Sequence, residues 1–289
     1  MDASREELAL TDPRVWVIQP RREGITARLR DVWRYRRLIR FLAFKSIAKL
    51  YQGTALGWIW IFIRPLFPLV VNALVFGRML GVGSHGVPYF LFLVAGTLIW
   101  ELFESSVMWG TRSLQLNRGF MSRIYIPRLI MPVASMAPAY INMLISLAVL
   151  FIAAVYYKIT TGTMFLTPAH AGWALLAVVL AAYLSIAISL WTSVPALHVR
   201  DVRFTVGYVM GFWVFLTPVL YPISVPPRYQ WLVALNPMAA IVNAFKYGVL
   251  GIDVLSRRDL VIAVMISTVV FVSGLLFFSR AEATAADKI

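Results

Sequence analysis

The chain has 289 residues, 60% of them hydrophobic and 14% charged, with a mean hydropathy of +0.77. That mix excludes a soluble globular domain and reads as an integral membrane protein. Cysteine is absent and the three histidines (His85, His170, His198) are far apart in the sequence, which excludes a disulfide framework and a zinc site.

The formal net charge of +14 raises nucleic acid and acidic lipid as partners, and its distribution chooses between them. Twelve of the 27 Lys and Arg precede Tyr51, with no stacking module or nucleic-acid motif beside them. They are expected to meet anionic lipid and to set orientation, so nucleic acid is not expected as a partner. Residues 1–25 read as a cytoplasmic N-terminal extension without the apolar core and cleavage site of a signal peptide.

Residues 26–50 are predicted to form a basic amphipathic helix lying in the membrane interface. Leu29, Val32, Ile39, Ala43, Ile47 and Leu50 share one side, with Arg30, Arg34, Arg37 and Lys45 on the other. A hydrocarbon core of roughly 30 Å takes about 20 apolar residues per helix. Six stretches qualify as spans: 56–80, 89–108, 133–156, 173–194, 204–221 and 260–279. With both termini inside, the cytoplasmic segments hold most of the Lys and Arg, as the positive-inside rule requires.

Within the first span, Trp58 and Phe62 fall on one side and Trp60 and Phe67 on another. Arg64 lies roughly 10 Å below the inner surface, where an unpaired charge costs on the order of 3 kcal/mol. The second span places Glu101 and Glu104 at comparable depth, one turn apart on a face shared with Trp100 and Met108. Arg64 is expected to meet one of these carboxylates, as an ion pair or as a substrate contact. A proton relay of the two acids would instead imply a secondary transporter, which a neighbouring arginine disfavours.

The basic segment from Arg112 to Arg128 is long for a connector and is predicted to hold a short helix over 113–125. The fifth span carries Phe204, Tyr208, Phe212 and Phe215 at spacings of four, four and three, one ringed face along its length. Flat rings suit the C–H faces of sugars without fixing a hydroxyl geometry, and they equally suit packing or lipid. The stretch 231–251 is long enough to cross, yet Asn236-Pro237 breaks it and Lys246 sits deep within it. It is predicted to be two short helices dipping in from the outer side. No G-x-x-x-x-G-K-[ST] is present, so ATP use would require a separate subunit.

Four blocks, in this order and spacing, resemble the polysaccharide-export permeases of the ABC type-2 transporters, which move O-antigen, capsule and teichoic acid precursors. They are Lys49-Leu-Tyr-Gln-Gly-Thr-Ala-Leu-Gly-Trp-Ile-Trp with Arg64-Pro65-Leu66; Gly96-Thr-Leu-Ile-Trp100 with Asn117 and Ile126-Pro127-Arg128; Val199-Arg200-Asp201-Val202; and Thr217-Pro218-Val219-Leu220-Tyr221-Pro222 with Asn236-Pro237. The resemblance implies an all-α integral membrane protein of six transmembrane helices, with an N-terminal interface helix and a re-entrant pair of gate helices over 224–251. The transmembrane domain would cover 26–289. It implies a non-catalytic subunit of the cytoplasmic membrane, paired as a homodimer and served by two copies of an ABC ATPase that bind the ATP and Mg²⁺; this chain itself would hold no cofactor and no metal.

Carried over by position, Ser113, Asn117, Arg118, Phe120, Arg123 and Tyr125 would contact the ATPase. Trp58, Phe62, Trp60, Phe67, Trp100, Phe204, Tyr208, Phe212 and Phe215 would line the substrate channel. Arg36, Arg37, Arg40, Lys45 and Lys49 would draw in the diphosphate of a polyprenyl-linked polysaccharide, or simply hold lipid. Phe44-Lys45-Ser46 stands where the family carries an arginine-rich, acid-containing approach to the first span, so no salt bridge is expected there. Two alternatives remain: an exporter of a small hydrophobic drug or lipid with the same fold, and a membrane-embedded glycosyltransferase or other polyprenol enzyme.

Overall fold

The computed structural model describes residues 34–51, 59–121, 128–223 and 226–286, and every regular element among them is helical. In chain order they are α1 (Arg36–Tyr51), α2 (Ile59–Asn72), α3 (Tyr89–Leu116), α4 (Arg118–Met121), α5 (Ile130–Ser135) and α6 (Ala137–Thr161). There follow α7 (Ala171–His198), α8 (Asp201–Trp213), α9 (Gln230–Ala234), α10 (Pro237–Leu250) and α11 (Arg257–Ala286).

Four stretches are long and apolar enough to cross a membrane: Tyr89–Leu116, Ile130–Thr161, Pro168–His198 and Arg257–Arg280. They coincide with the second, third, fourth and sixth expected spans. The first expected span is α2, which contains Pro65 and Pro68 and runs on as a wider π-helical stretch, Ala73–Met79. Each proline removes a backbone donor, and the ladder adjusts instead of breaking. The fifth is α8 with the 3-10 turn Val214–Leu216, after which Pro218 forces Thr217 into an extended conformation (φ −117°, ψ 140°) and stops the helix.

α3 is the centre of the subunit. Leu91, Phe92, Leu93, Val94 and Ala95 are buried in succession, so burial runs around the helix instead of along one stripe. It packs against α6, α7 and α10, while α11 covers α7 and α10. Small residues allow the closest approaches: Gly110 of α3 faces Ser189 of α7, Gly274 of α11 faces the Ala187 carbonyl, and Gly248 of α10 lies on the backbone of Ala174.

A second cluster joins Leu42 of α1, Leu114 of α3, Ile130 and Met131 of α5, Leu190 of α7 and Phe278 of α11. It fixes α1 at one end of the bundle, with α4 and α5. At the opposite end lie residues 81–88, 162–170, 217–223 and 226–236.

Two sequence expectations change in detail. The helix expected over 113–125 is divided among the described residues, because Ser113–Leu116 continues α3 and Arg118–Met121 forms a separate helix, while residues 122–125 lie outside the described residues. The break falls at Asn117, whose side-chain amide turns back to the Ser113 carbonyl and caps α3. The packed face of α1 centres on Leu42 and Ser46, with Ile39, Ala43 and Ile47 only half-buried beside them. Residues 26–33 of that expected helix lie outside the described residues.

Candidate functional site

The ringed face of the fifth expected span is real geometry. Val206 and Met210 bury the opposite side of α8 in the core, which turns Phe204, Tyr208, Phe212 and Phe215 away from the bundle. Tyr208 is 72% and Phe212 73% exposed within the subunit. On α2, Phe62 and Phe67 are likewise exposed and Trp60 is half-buried, whereas Trp58 lies outside the described residues.

Trp100 is placed differently from the other channel candidates. It is 3% exposed, tilts against Phe103, meets Trp213 edge-on, and donates from Nε1 to the Glu104 carboxylate at 2.8 Å. Its position on α3 faces the centre of the subunit, so its ring packs behind α8 against Trp213 instead of joining the exposed rings.

Glu101 and Glu104 share a cavity of about 350 Å³ with Pro65, Met108, Arg112 and Asn142. Ser146 of α6 donates to Glu101 at 3.3 Å. The side chain of Arg64, the expected partner, lies outside the described residues, as does that of Lys49. Pro65, the next residue, borders the cavity, and Arg112 closes it toward the end where α4 lies.

At that end the basic positions Arg36, Arg37 and Arg40 are exposed along α1. Lys45 sits 4.7 Å from the centre of the Phe120 ring, and Phe41 packs on the same ring at 6.1 Å. Phe120 therefore pins α4 to α1 through a cation–π contact and a ring contact. Of the other coupling candidates, Ser113 and Asn117 are buried, Arg118 is exposed, and Arg123 and Tyr125 lie outside the described residues.

A polar network that pattern reading did not find lies at the end of α8. Stopping a helix in an apolar surround leaves carbonyls that no water can satisfy, and each needs an internal donor. The donors come from four places. Tyr221 Oη donates to the Phe215 carbonyl, and Asn236 Nδ2 to the Leu216 carbonyl at 2.9 Å. Lys246 Nζ donates to the Pro218 carbonyl at 2.6 Å and to that of Val219 at 3.3 Å. Tyr89 Oη donates to the Leu220 carbonyl at 2.7 Å.

Lys246 is fully buried (0% exposed), and its amine also lies 3.2 Å from the centre of the Phe92 ring. Gly96 provides the room for it, since a Cβ there would stand 3.1 Å from Nζ and 2.5 Å from the Val219 oxygen. The sequence signal available was a lysine inside an apolar stretch, together with Thr217-Pro218 and Asn236-Pro237.

Asn236 does two further things. Its Oδ1 accepts from the Met238 amide, capping α10, and from Trp213 Nε1, tying α8 to α10. Asn236→Ala removes all of these at once and is expected to cost roughly 2–3 kcal/mol of stability, since the α10 cap, the acceptor of Trp213 and the donor to the Leu216 carbonyl are lost together. A thermal-unfolding midpoint in detergent indistinguishable from wild type would show that the junction does not depend on Asn236.

Among the described residues the subunit is all helical, with four helices long and apolar enough to cross a membrane and an exposed ringed face on α8. Residues 37–250 match the ABC-2 type transporter family, and the chain belongs to it as the transmembrane permease. It is 26% identical over 224 residues to the O-antigen export system permease protein RfbA of Myxococcus xanthus, covering 75% of this chain and 82% of that one. It is 23% identical over 242 residues to an O-antigen export system permease protein RfbA of Klebsiella pneumoniae, covering 82% and 88%. The inner membrane transport permease YadH of Escherichia coli K12 is 25% identical over 224 residues, covering 74% and 85%.

Proposed function

We propose that this permease exports a polyprenyl-diphosphate-linked cell-surface polysaccharide, of O-antigen type, across the cytoplasmic membrane. The observation that carries the reading is the exposed series Phe204, Tyr208, Phe212 and Phe215, with Phe62 and Phe67 exposed on α2. The names of the relatives from Myxococcus xanthus and Klebsiella pneumoniae support the same substrate class. In this reading two copies of the chain pair as a homodimer of six-span subunits, α2 and α8 face the path, and both termini lie in the cytoplasm. A bound ABC ATPase on each copy supplies ATP and Mg²⁺ chemistry.

The residues divide the work. Arg36, Arg37 and Arg40 attract the lipid diphosphate at the inner rim, with Lys45 and Lys49. Movement of the ATPase reaches α4 and passes through Phe120 to α1, so the interface helix and the coupling segment shift together. The rings of α8 then hold successive sugars weakly enough to slide. α9 and α10, split at Asn236-Pro237, serve as the outer gate. Glu101 and Glu104 form a polar cluster with Arg112 and Asn142 beside the first span.

The test is surface display of glycan in cells that make a polyprenyl-linked polymer and express the chain with its ATPase. Deleting the permease is expected to abolish display. Tyr208→Ala/Phe212→Ala, losing two ring contacts of about 0.5–1.5 kcal/mol each, is expected to lower it by roughly tenfold while the complex stays assembled. Unchanged display in the deletion strain would move the function to export of a small hydrophobic molecule or lipid.

A further inference from the structure

A cavity of about 790 Å³ opens at the end of the subunit opposite α1 and α4. It lies among the 81–88 loop, the break after α8, α9, α10 and the first turn of α11. Its floor is Phe92 and Pro218, the two residues held by Lys246, so the floor is among the best-fixed parts of the molecule. Its sides carry Trp231, His85, Gln230, Asn243, Arg258 and Asp259.

The wall combines an aromatic ring with polar and charged side chains. Trp231 offers a 58% exposed ring. Around it stand two amides, a guanidinium and a carboxylate, and among the described residues no hydrogen bond or ion pair engages these four side chains. His85 is the single non-glycine described residue with positive φ (55°), a conformation that costs energy and persists where the fold imposes it.

A ring flanked by uncommitted donors and acceptors is what a pyranose requires. Its C–H face lies on the indole, its hydroxyls donate to Asp259, and its oxygens accept from Gln230, Asn243 and Arg258. One positive and one negative group side by side do not select a polyanion, and half-polar walls do not select a hydrocarbon. The volume lies within the range of small-ligand sites, about 300–1,000 Å³, which admits a short run of linked sugars.

We propose that this cavity is a saccharide-binding site, which receives sugar units of the glycan as they emerge on the side opposite the ATPase. The proposal rests on the polysaccharide-export reading. Holding emerging sugars at a fixed floor beside α10 opposes their backward slip between power strokes.

The test uses the permease–ATPase complex in lipid nanodiscs and short oligosaccharides released by mild acid from the cell's own surface polysaccharide. Binding is read by saturation-transfer NMR and titration calorimetry. Trp231→Ala and Asp259→Asn are each expected to weaken binding by roughly tenfold, and Trp231→Phe to restore most of it. Unaltered affinity in both Trp231→Ala and Asp259→Asn overturns the site. So does absence of binding to a wild-type complex that still displays glycan in cells, and that outcome leaves the export reading standing. If deleting the permease leaves surface glycan intact, the export reading fails, and the saccharide site as an exit site fails with it.

Discussion

Lys246→Met is expected to destabilise the subunit by roughly 2–5 kcal/mol, even though methionine nearly matches lysine in length and packs well in apolar surroundings. The amine it removes is the donor for two adjacent carbonyls, Pro218 and Val219, at the point where α8 stops. Both carbonyls would remain in the core, where Lys246 is fully buried and the neighbouring helices exclude water. An unpartnered buried carbonyl costs about 1–3 kcal/mol, and a bundle without water at this depth offers no replacement.

Lys246→Ala adds a cavity to the same loss and should be worse than Lys246→Met. The readouts are the thermal midpoint in detergent and the fraction recovered as a monodisperse permease–ATPase complex. A Lys246→Met protein that unfolds at the wild-type temperature would refute the claim that this amine holds the end of α8 to α10. Because the contact ties the ringed helix to the short helix pair, the same variant is expected to reduce glycan display beyond what its lower abundance explains.

Gly248→Ala is expected to be nearly as damaging through sterics alone. A Cβ at this position would stand 2.3 Å from the backbone nitrogen of Ala174 and 2.9 Å from its Cα. Backbone cannot rotate aside as a flexible side chain can, so α10 and α7 must move apart along their whole contact. Overpacking of a dense core costs about 1–3 kcal/mol, and a clash with main chain belongs at the upper end or above it. Gly248→Val should prevent recovery of folded protein altogether. Gly211→Ala on α8, where nothing lies within 4 Å of the new atom, is the matched control and should behave as wild type. A Gly248→Ala protein with the stability of the Gly211→Ala control would mean that α7 and α10 do not approach at this distance.

Both predictions concern α10, the segment that sequence patterning found hardest to assign. Asn236-Pro237 and Lys246 argued that residues 231–251 do not cross as one helix, and the chain does divide there into α9 and α10. The reasoning from local chemistry was sufficient for the break, since proline lacks a donor whatever surrounds it. It did not reach the burial of α10, most of which lies inside the subunit against α3, α7 and α11. A helix of mixed apolar character looks the same in sequence whether its neighbours are lipid or protein.

The ringed face of α8 was legible because a helix repeats about every 3.6 residues and spacings of four, four and three stay on one side. Trp100 was misgrouped with it for an equally physical reason. Its apolar ring suits a channel wall and a core alike, and only the position of α3 at the centre of the bundle, with Glu104 one turn away to accept its N–H, decides between them.

The division follows the range of the interactions. Composition, periodicity and the donors missing at proline act over a few residues, and by themselves they determined a multi-helix membrane protein, the ringed helix and the split at Asn236-Pro237. The partners of Lys246 lie 28 and 27 residues away and those of Tyr89 and Leu220 are 131 apart, joined only when α3, α8 and α10 pack together. The tertiary structure alone decided which carbonyls those side chains cap, which rings remain open, and where a polar cavity forms at the far end, because each depends on helices whose approach is set by small residues such as Gly96, Gly110 and Gly248.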